Sequence, residues 1–164
     1  MSFPVLRSVF FALFMSRASY GVVLWGNASA SGKVFKLQKA AIRIMFGISY
    51  RGSCRGFFKK MVCLTIPSLY VYECLRLVKN NLSTIQCNSD NHSYGTRFCN
   101  DLCPPAVRLS TSLKSNPLQN GIRFYNKLPV SIRDLPAEAF ARYLKSRLIE
   151  AELYDVSDFY ALAW

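Results

Sequence analysis

The sequence predicts a mainly α-helical protein: a small helical domain with a long irregular loop and no sheet. Three observations carry this. Apolar residues recur at helical spacing in several stretches that open on Pro or a small polar residue or close on Gly. No stretch shows the strict alternation of a half-buried strand. Between Ser83 and Asn116 the periodicity lapses into Asn, Ser, Thr, Asp and Gly, and Pro104-Pro105 blocks regular structure. The organisation that follows is a basic helical region over 1–82, an irregular linker over 83–116, and a C-terminal helical segment over 117–164 that packs on the first region. With 164 residues, 51% of them apolar, the chain has the material for one core. So apolar a composition also suits a piece cut from a larger body, with a former interface left bare.

Pro4 suits the first turn of a helix that carries Val5, Val9, Ala12 and Leu13 on one side and runs on through Ser19–Trp25. Gly26-Asn27 stops it. Ser31 is placed to cap the next helix, Gly32–Phe46, which Gly47 ends. Its apolar side is Val34, Leu37, Ala41 and Ile44, while Lys36, Lys39 and Arg43 occupy another side with Lys33 one turn earlier. Ser53 caps a short helix over Cys54–Met61. Pro67 opens a longer helix to Leu82, in which Val71, Cys74, Leu75 and Val78 share a stripe. Helical pattern resumes over Pro117–Leu128, and a brief turn covers Ile132–Leu135. Pro136 then starts Ala137–Leu153, with Phe140, Leu144, Leu148 and Ala151 as its stripe.

The charge distribution speaks to function. Ten bases (Arg7, Arg17, Lys33, Lys36, Lys39, Arg43, Arg51, Arg55, Lys59 and Lys60) precede the first acid, Glu73. The rest of the chain mixes both signs. Solubility alone would scatter both throughout; a stretch of one sign creates a local field whose natural partner is a polyanion. Nucleic acid comes first and an anionic membrane surface second. Six to ten bases on phosphates would make affinity fall roughly 10³–10⁵-fold between 50 and 200 mM salt. Within Arg51–Lys60 the bases interleave with Phe57 and Phe58, which either stack on an unpaired base or belong to the core.

Other classes find little support. There is no Gly-rich phosphate loop and no G-x-S-x-G, and the single histidine, His92, sits in loop chemistry where a structural role is the commoner one. Cys87, His92, Cys99 and Cys103 offer thiolate and imidazole for Zn²⁺, but at a spacing that fits no standard knuckle. The expectation is therefore no metal and no cofactor. The six cysteines suit a reducing compartment, with Cys63 and Cys74 behaving as small buried hydrophobes. No run reaches the roughly 18–20 apolar residues that cross a bilayer, so no stable membrane insertion is expected. Arg7, Val9–Met15 and the small residues Ser16, Ala18 and Ser19 mimic a signal peptide, a reading that ranks below a helix.

Six segments, in order, point further: Val9–Ser16 running into Ser19-Tyr-Gly-Val-Val-Leu-Trp-Gly-Asn27, Leu37-Gln-Lys-Ala-Ala-Ile-Arg43, Leu64-Thr-Ile-Pro-Ser-Leu-Tyr-Val-Tyr-Glu-Cys-Leu75, His92-Ser-Tyr-Gly-Thr-Arg97 and Gly121-Ile-Arg-Phe-Tyr-Asn-Lys-Leu-Pro129. Together they resemble the C-terminal tail of reverse transcriptases encoded by non-LTR (LINE-like, jockey-type) retrotransposons, across nearly the whole chain. The resemblance singles out Tyr20, Gly21, Trp25, Gly26, His92, Tyr94, Thr96 and Arg97 as family-motif residues. It implies a region that follows the polymerase thumb and helps to hold template RNA or target DNA, with Arg97 as a phosphate contact or part of a loop-ordering cluster. The family's catalytic Asp-Asp turn lies upstream, and no Asp-Asp pair occurs in this chain. Two Mg²⁺ ions need such carboxylates to drive phosphoryl transfer, so a non-enzymatic, truncated copy is expected. Cys99 and Cys103 depart from the polar residues the family would place there.

The leading expectation is sequence-nonspecific binding of RNA or DNA in the cytoplasm or nucleus. Lys33, Lys36, Lys39, Arg43, Arg51, Arg55, Lys59 and Lys60 would supply the phosphate contacts. The alternatives are a protein–protein element that packs on the polymerase thumb, and a secreted or membrane-surface cationic polypeptide.

Overall fold

The computed structural model describes residues 2–91, 99–105 and 116–164. These form a small helical domain; among the described residues the only β pairing is an antiparallel bridge between Cys87 and Leu102. In chain order the elements are α1 (Phe3–Val9), a π-helical segment (Phe10–Met15), α2 (Ser16–Ser19), α3 (Val22–Trp25), α4 (Ser31–Phe46), α5 (Phe57–Met61) and α6 (Ile66–Asn80). A 3₁₀ turn (Leu82–Thr84), α7 (Asn88–Asn91), α8 (Pro117–Lys127), α9 (Val130–Arg133), α10 (Ala137–Ala151) and a second 3₁₀ turn (Val156–Ala161) follow. No helix among the described residues is long and apolar enough to cross a membrane.

Helix α6 is the axis of the molecule, and α3, α4, α8 and α10 all pack on it. It can be central because Leu69, Tyr70, Val71, Cys74, Leu75 and Val78 bury more than one of its sides. Thr65 caps it, accepting a hydrogen bond from the Ser68 backbone N–H, and its hydroxyl donates to the Leu153 carbonyl at 2.6 Å. The start of α6 is thereby tied to the end of α10. Helix α8 comes close only because residue 121 is glycine. A Cβ there would stand 2.7 Å from Val78 Cγ2 and 2.8 Å from the Cys74 carbonyl oxygen. Burial pushes the thiols of Cys63 and Cys74 up to about 12.

The described part of the 83–116 linker is more regular than its composition predicts. The Asn126 side chain accepts from the Leu102 N–H at 3.0 Å and donates to the Leu102 carbonyl at 2.9 Å. Arg133 adds a 2.8 Å ion pair with Asp101. Two side chains of the C-terminal segment thus hold the Cys87–Leu102 bridge against α8 and α9.

Several local expectations are corrected. The Val5, Val9, Ala12 and Leu13 side of the first helix faces solvent, and Phe10, Met15 and Ala18 face the core. A π-helical turn brings residues five apart onto one face, so Phe10 and Met15 point inward together. On α4 the core side is Phe35, Gln38 and Ile42, one position away from the predicted stripe, and Leu37 and Ile44 are 63% and 80% exposed. Ser31 lies inside α4 and makes no capping bond, whereas Gly47 does close the helix in the left-handed region at φ 63°. Helix α5 begins at Phe57, because Gly56 (φ 81°) breaks the chain first and the Ser53 hydroxyl accepts from the Arg55 N–H instead. The first helix does not continue to Trp25: Gly21, at φ 62°, turns the chain before α3.

Candidate nucleic-acid interface

Spacings of three and four residues set Lys36, Lys39 and Arg43 on one side of α4, next to its core face. Tertiary contacts bring further groups to them. The Arg43 Nε donates to the Gly52 carbonyl at 2.9 Å, fixing the loop after α4 against the helix. Arg55 lies over the ring of Tyr154 at 4.5 Å, and the Lys39 ammonium lies 5.5 Å from the same ring and 4.5 Å from that of Phe35. Tyr154 therefore has two cations against its ring. Burial pushes its hydroxyl pKa up, Cys54 and Glu152 add to the rise, and Arg55 and Arg43 oppose it. Lys36 and Arg51 are exposed beside this group.

The ten leading bases keep their charge uncompensated by direct pairing. Among the described residues the ion pairs within 4.0 Å are Arg76–Glu73, Arg133–Asp101 and Arg147–Glu150, and none uses a base before Glu73. One late acid does enter the basic segment. Glu152 is buried, and its carboxylate accepts from the backbone N–H groups of Gly56 at 2.6 Å and Lys59 at 2.9 Å. It satisfies the open N–H groups at the start of α5 rather than pairing with a side-chain cation.

The predicted phosphate-binding set does not form a single row. Lys36, Lys39, Arg43, Arg51 and Arg55 gather along α4 and the loop after it. Lys33 stands exposed in the first turn of α4. Lys60 lies 4.9 Å over the Phe57 ring. Lys59 instead lines a shallow hollow with Arg142, Lys145 and Ile149. Arg142 and Lys145 were missed at the level of sequence because acids and bases mix in that half. Both lie off the Phe140, Leu144 and Leu148 stripe, on the exposed part of the same helix, and that is the signal that finds them. Phe58 is fully buried beside Phe35, and Phe57 is tilted against Phe46 at 4.9 Å. The Phe58 ring belongs to the core, and the half-buried Phe57 ring packs at its edge, covered by Phe46 and Lys60.

Four family-motif residues have structural work instead. Gly21 makes the turn already described, with the exposed Tyr20 before it, and the Trp25 indole closes that turn by donating to the Tyr20 carbonyl at 3.1 Å. Gly26 lies so close to α6 that a Cβ would stand 2.6 Å from Tyr70 Cδ2. His92, Tyr94, Thr96 and Arg97 lie outside the described residues. So does the histidine of the zinc set, and among the described residues no three metal-ligating side chains gather. Comparison of the chain with protein-family models, curated proteins and solved structures finds no match.

Proposed function

We propose that this protein binds nucleic acid through phosphate contacts, without catalysis of its own, as a counterpart of the tail of a non-LTR retrotransposon reverse transcriptase. The observation that carries the reading is the gathering of Lys36, Lys39, Arg43, Arg51 and Arg55 along α4 and its loop, with no carboxylate in ion-pair contact among the described residues. Such a surface releases counterions from a polyanion and reads no sequence. It suits RNA or DNA in the cytoplasm or nucleus, with or without an attached polymerase domain. The six-segment resemblance supports the same reading, and the absence of an Asp-Asp pair supports a non-catalytic role.

Fluorescence anisotropy of a labelled single-stranded oligonucleotide tests it. Five phosphate contacts give a log–log salt slope of about −3.5, so affinity should fall roughly 100-fold between 50 and 200 mM salt. The pair Lys36→Glu and Arg51→Glu should flatten that slope by at least about 0.7 per contact removed. Reversing the exposed Arg123 and Lys127 changes net charge equally and should leave the slope alone. A slope near zero, or equal effects from both pairs, would sink the reading.

The exposed apolar residues favour a second one. Val5, Val9 and Leu13 on the first helix, and Leu37 and Ile44 on α4, face solvent at helical spacing. They suit a protein–protein element that packs on a polymerase thumb. The isolated chain should then self-associate at micromolar concentration, and Leu37→Lys with Ile44→Lys should return it to monomer mass in sedimentation. A wild-type chain that sediments as a monomer would remove this reading.

A further inference from the structure

The turn after α4 is held at both ends. Gly47 closes the helix, and the Ile48 N–H donates to the Arg43 carbonyl at 2.9 Å. The Gly52 N–H donates to the Ser49 carbonyl at 2.9 Å, which makes Ser49–Gly52 a β-turn with Tyr50 and Arg51 at its two central positions. Gly52 is pressed onto Ile48 so closely that a Cβ would stand 2.4 Å from Ile48 Cγ2. The Arg43 guanidinium holds the Gly52 carbonyl from the other side. At the tip of this stapled turn Tyr50 is 87% exposed, while Arg51 is exposed beside it. A large aromatic ring thus stands open to solvent beside a base at the end of this turn.

Resting on the nucleic-acid reading above, we infer that the surface takes single-stranded nucleic acid in preference to duplex. Tyr50 stacks on an unpaired base, and Arg51 and the α4 bases hold the flanking phosphates. Every base has a π-face, so stacking on such a ring tolerates any sequence. In a duplex those faces are already stacked, and a side chain reaches one only after the step is opened at an energetic cost. The stacking contribution therefore goes to the single strand, while the phosphate contribution is open to both. Phe58 is buried, and Phe57 and Tyr154 are half-buried, so Tyr50, at 87%, is far more exposed than any of these rings.

The test compares a labelled 20-nucleotide oligo-U with a labelled 20-base-pair duplex, at one salt concentration. The wild-type chain, Tyr50→Ala, Tyr50→Phe and Tyr20→Ala are measured side by side. Tyr20 is as exposed as Tyr50 but lies outside the stapled turn. Tyr50→Ala is expected to weaken oligo-U binding about 5- to 150-fold and to leave duplex binding unchanged. Tyr50→Phe should retain wild-type affinity, and Tyr20→Ala should match wild type on both probes. Unchanged oligo-U binding by Tyr50→Ala, while the wild-type chain binds both probes, overturns this inference and leaves the nucleic-acid reading standing. An equal loss on both probes overturns the preference for single strands. Failure of the wild-type chain to bind either probe overturns both.

Discussion

Replacing Gln38 by leucine is expected to cost roughly 1–3 kcal/mol of folding stability, although the change adds apolar surface at a fully buried position. The amide is wired at both ends. Its Nε2 donates to the Leu64 carbonyl at 2.8 Å, and its Oε1 accepts from the Ile66 N–H at 3.0 Å. Ile66 opens α6, where backbone N–H groups have no partner within the helix. Leucine would leave the buried Ile66 N–H unpaired and the Leu64 carbonyl with only the weak Cys63 thiol donor at 3.4 Å, an unmade bond costing about 1–3 kcal/mol, and transfer gain recovers only part of the loss. Leu37→Ala, one residue earlier and exposed, should change stability by no more than about 0.5 kcal/mol. Urea unfolding with the slope checked for constancy reads both. Equal effects at the two positions would mean that α4 is rotated relative to the structure.

That pair of positions also shows where sequence reasoning succeeded and where it stopped. Pro67, Pro117, Pro136 and Gly47 lie at or within a residue or two of the helix boundaries they were read as marking, because backbone constraints act locally. The stripes Val71–Val78 and Phe140–Leu148 were legible because each helix carries one dominant apolar pattern. Helix α4 carries two, and period alone cannot choose between them. The choice went to the side with Phe35 and Ile42, anchored by a glutamine that any hydropathy count scores against burial. The first helix failed for a different reason: its π turn shifts the spacing from four residues to five, so a regular wheel assigns the wrong face.

The same contrast holds for the candidate interface. Its lysines and arginines were legible as an excess of one sign. Tyr154 and Glu152 were not, since each reaches the basic segment from about a hundred residues further along the chain. The burial of Phe58 and the partial cover of Phe57 likewise depend on Phe35 and Phe46, which only the fold places beside them.

Stability should also fall steeply in alkali, and the buried thiols set the window. Burial raises Cys63 and Cys74 from 9.0 to about 12, and it raises the Tyr70 hydroxyl as well. Below about pH 9 both thiols are neutral whether the chain is folded or not, so their contribution is complete and flat. Between about 9 and 12 only the unfolded chain releases those protons. Each thiol then draws the equilibrium toward unfolding by about 1.4 kcal/mol per pH unit. Two thiols across two units amount to several kcal/mol, comparable to the whole stability of a domain this size. Lysine deprotonation in the same range relieves repulsion among exposed cations, but exposed charges contribute tenths of a kcal/mol and do not reverse the trend. Urea midpoints at pH 8, 10 and 11 should therefore drop progressively. The double variant Cys63→Ala/Cys74→Ala should start lower at pH 8, because it leaves small cavities, and then fall less steeply. A decline of the same steepness in the double variant would remove the two thiols as its cause.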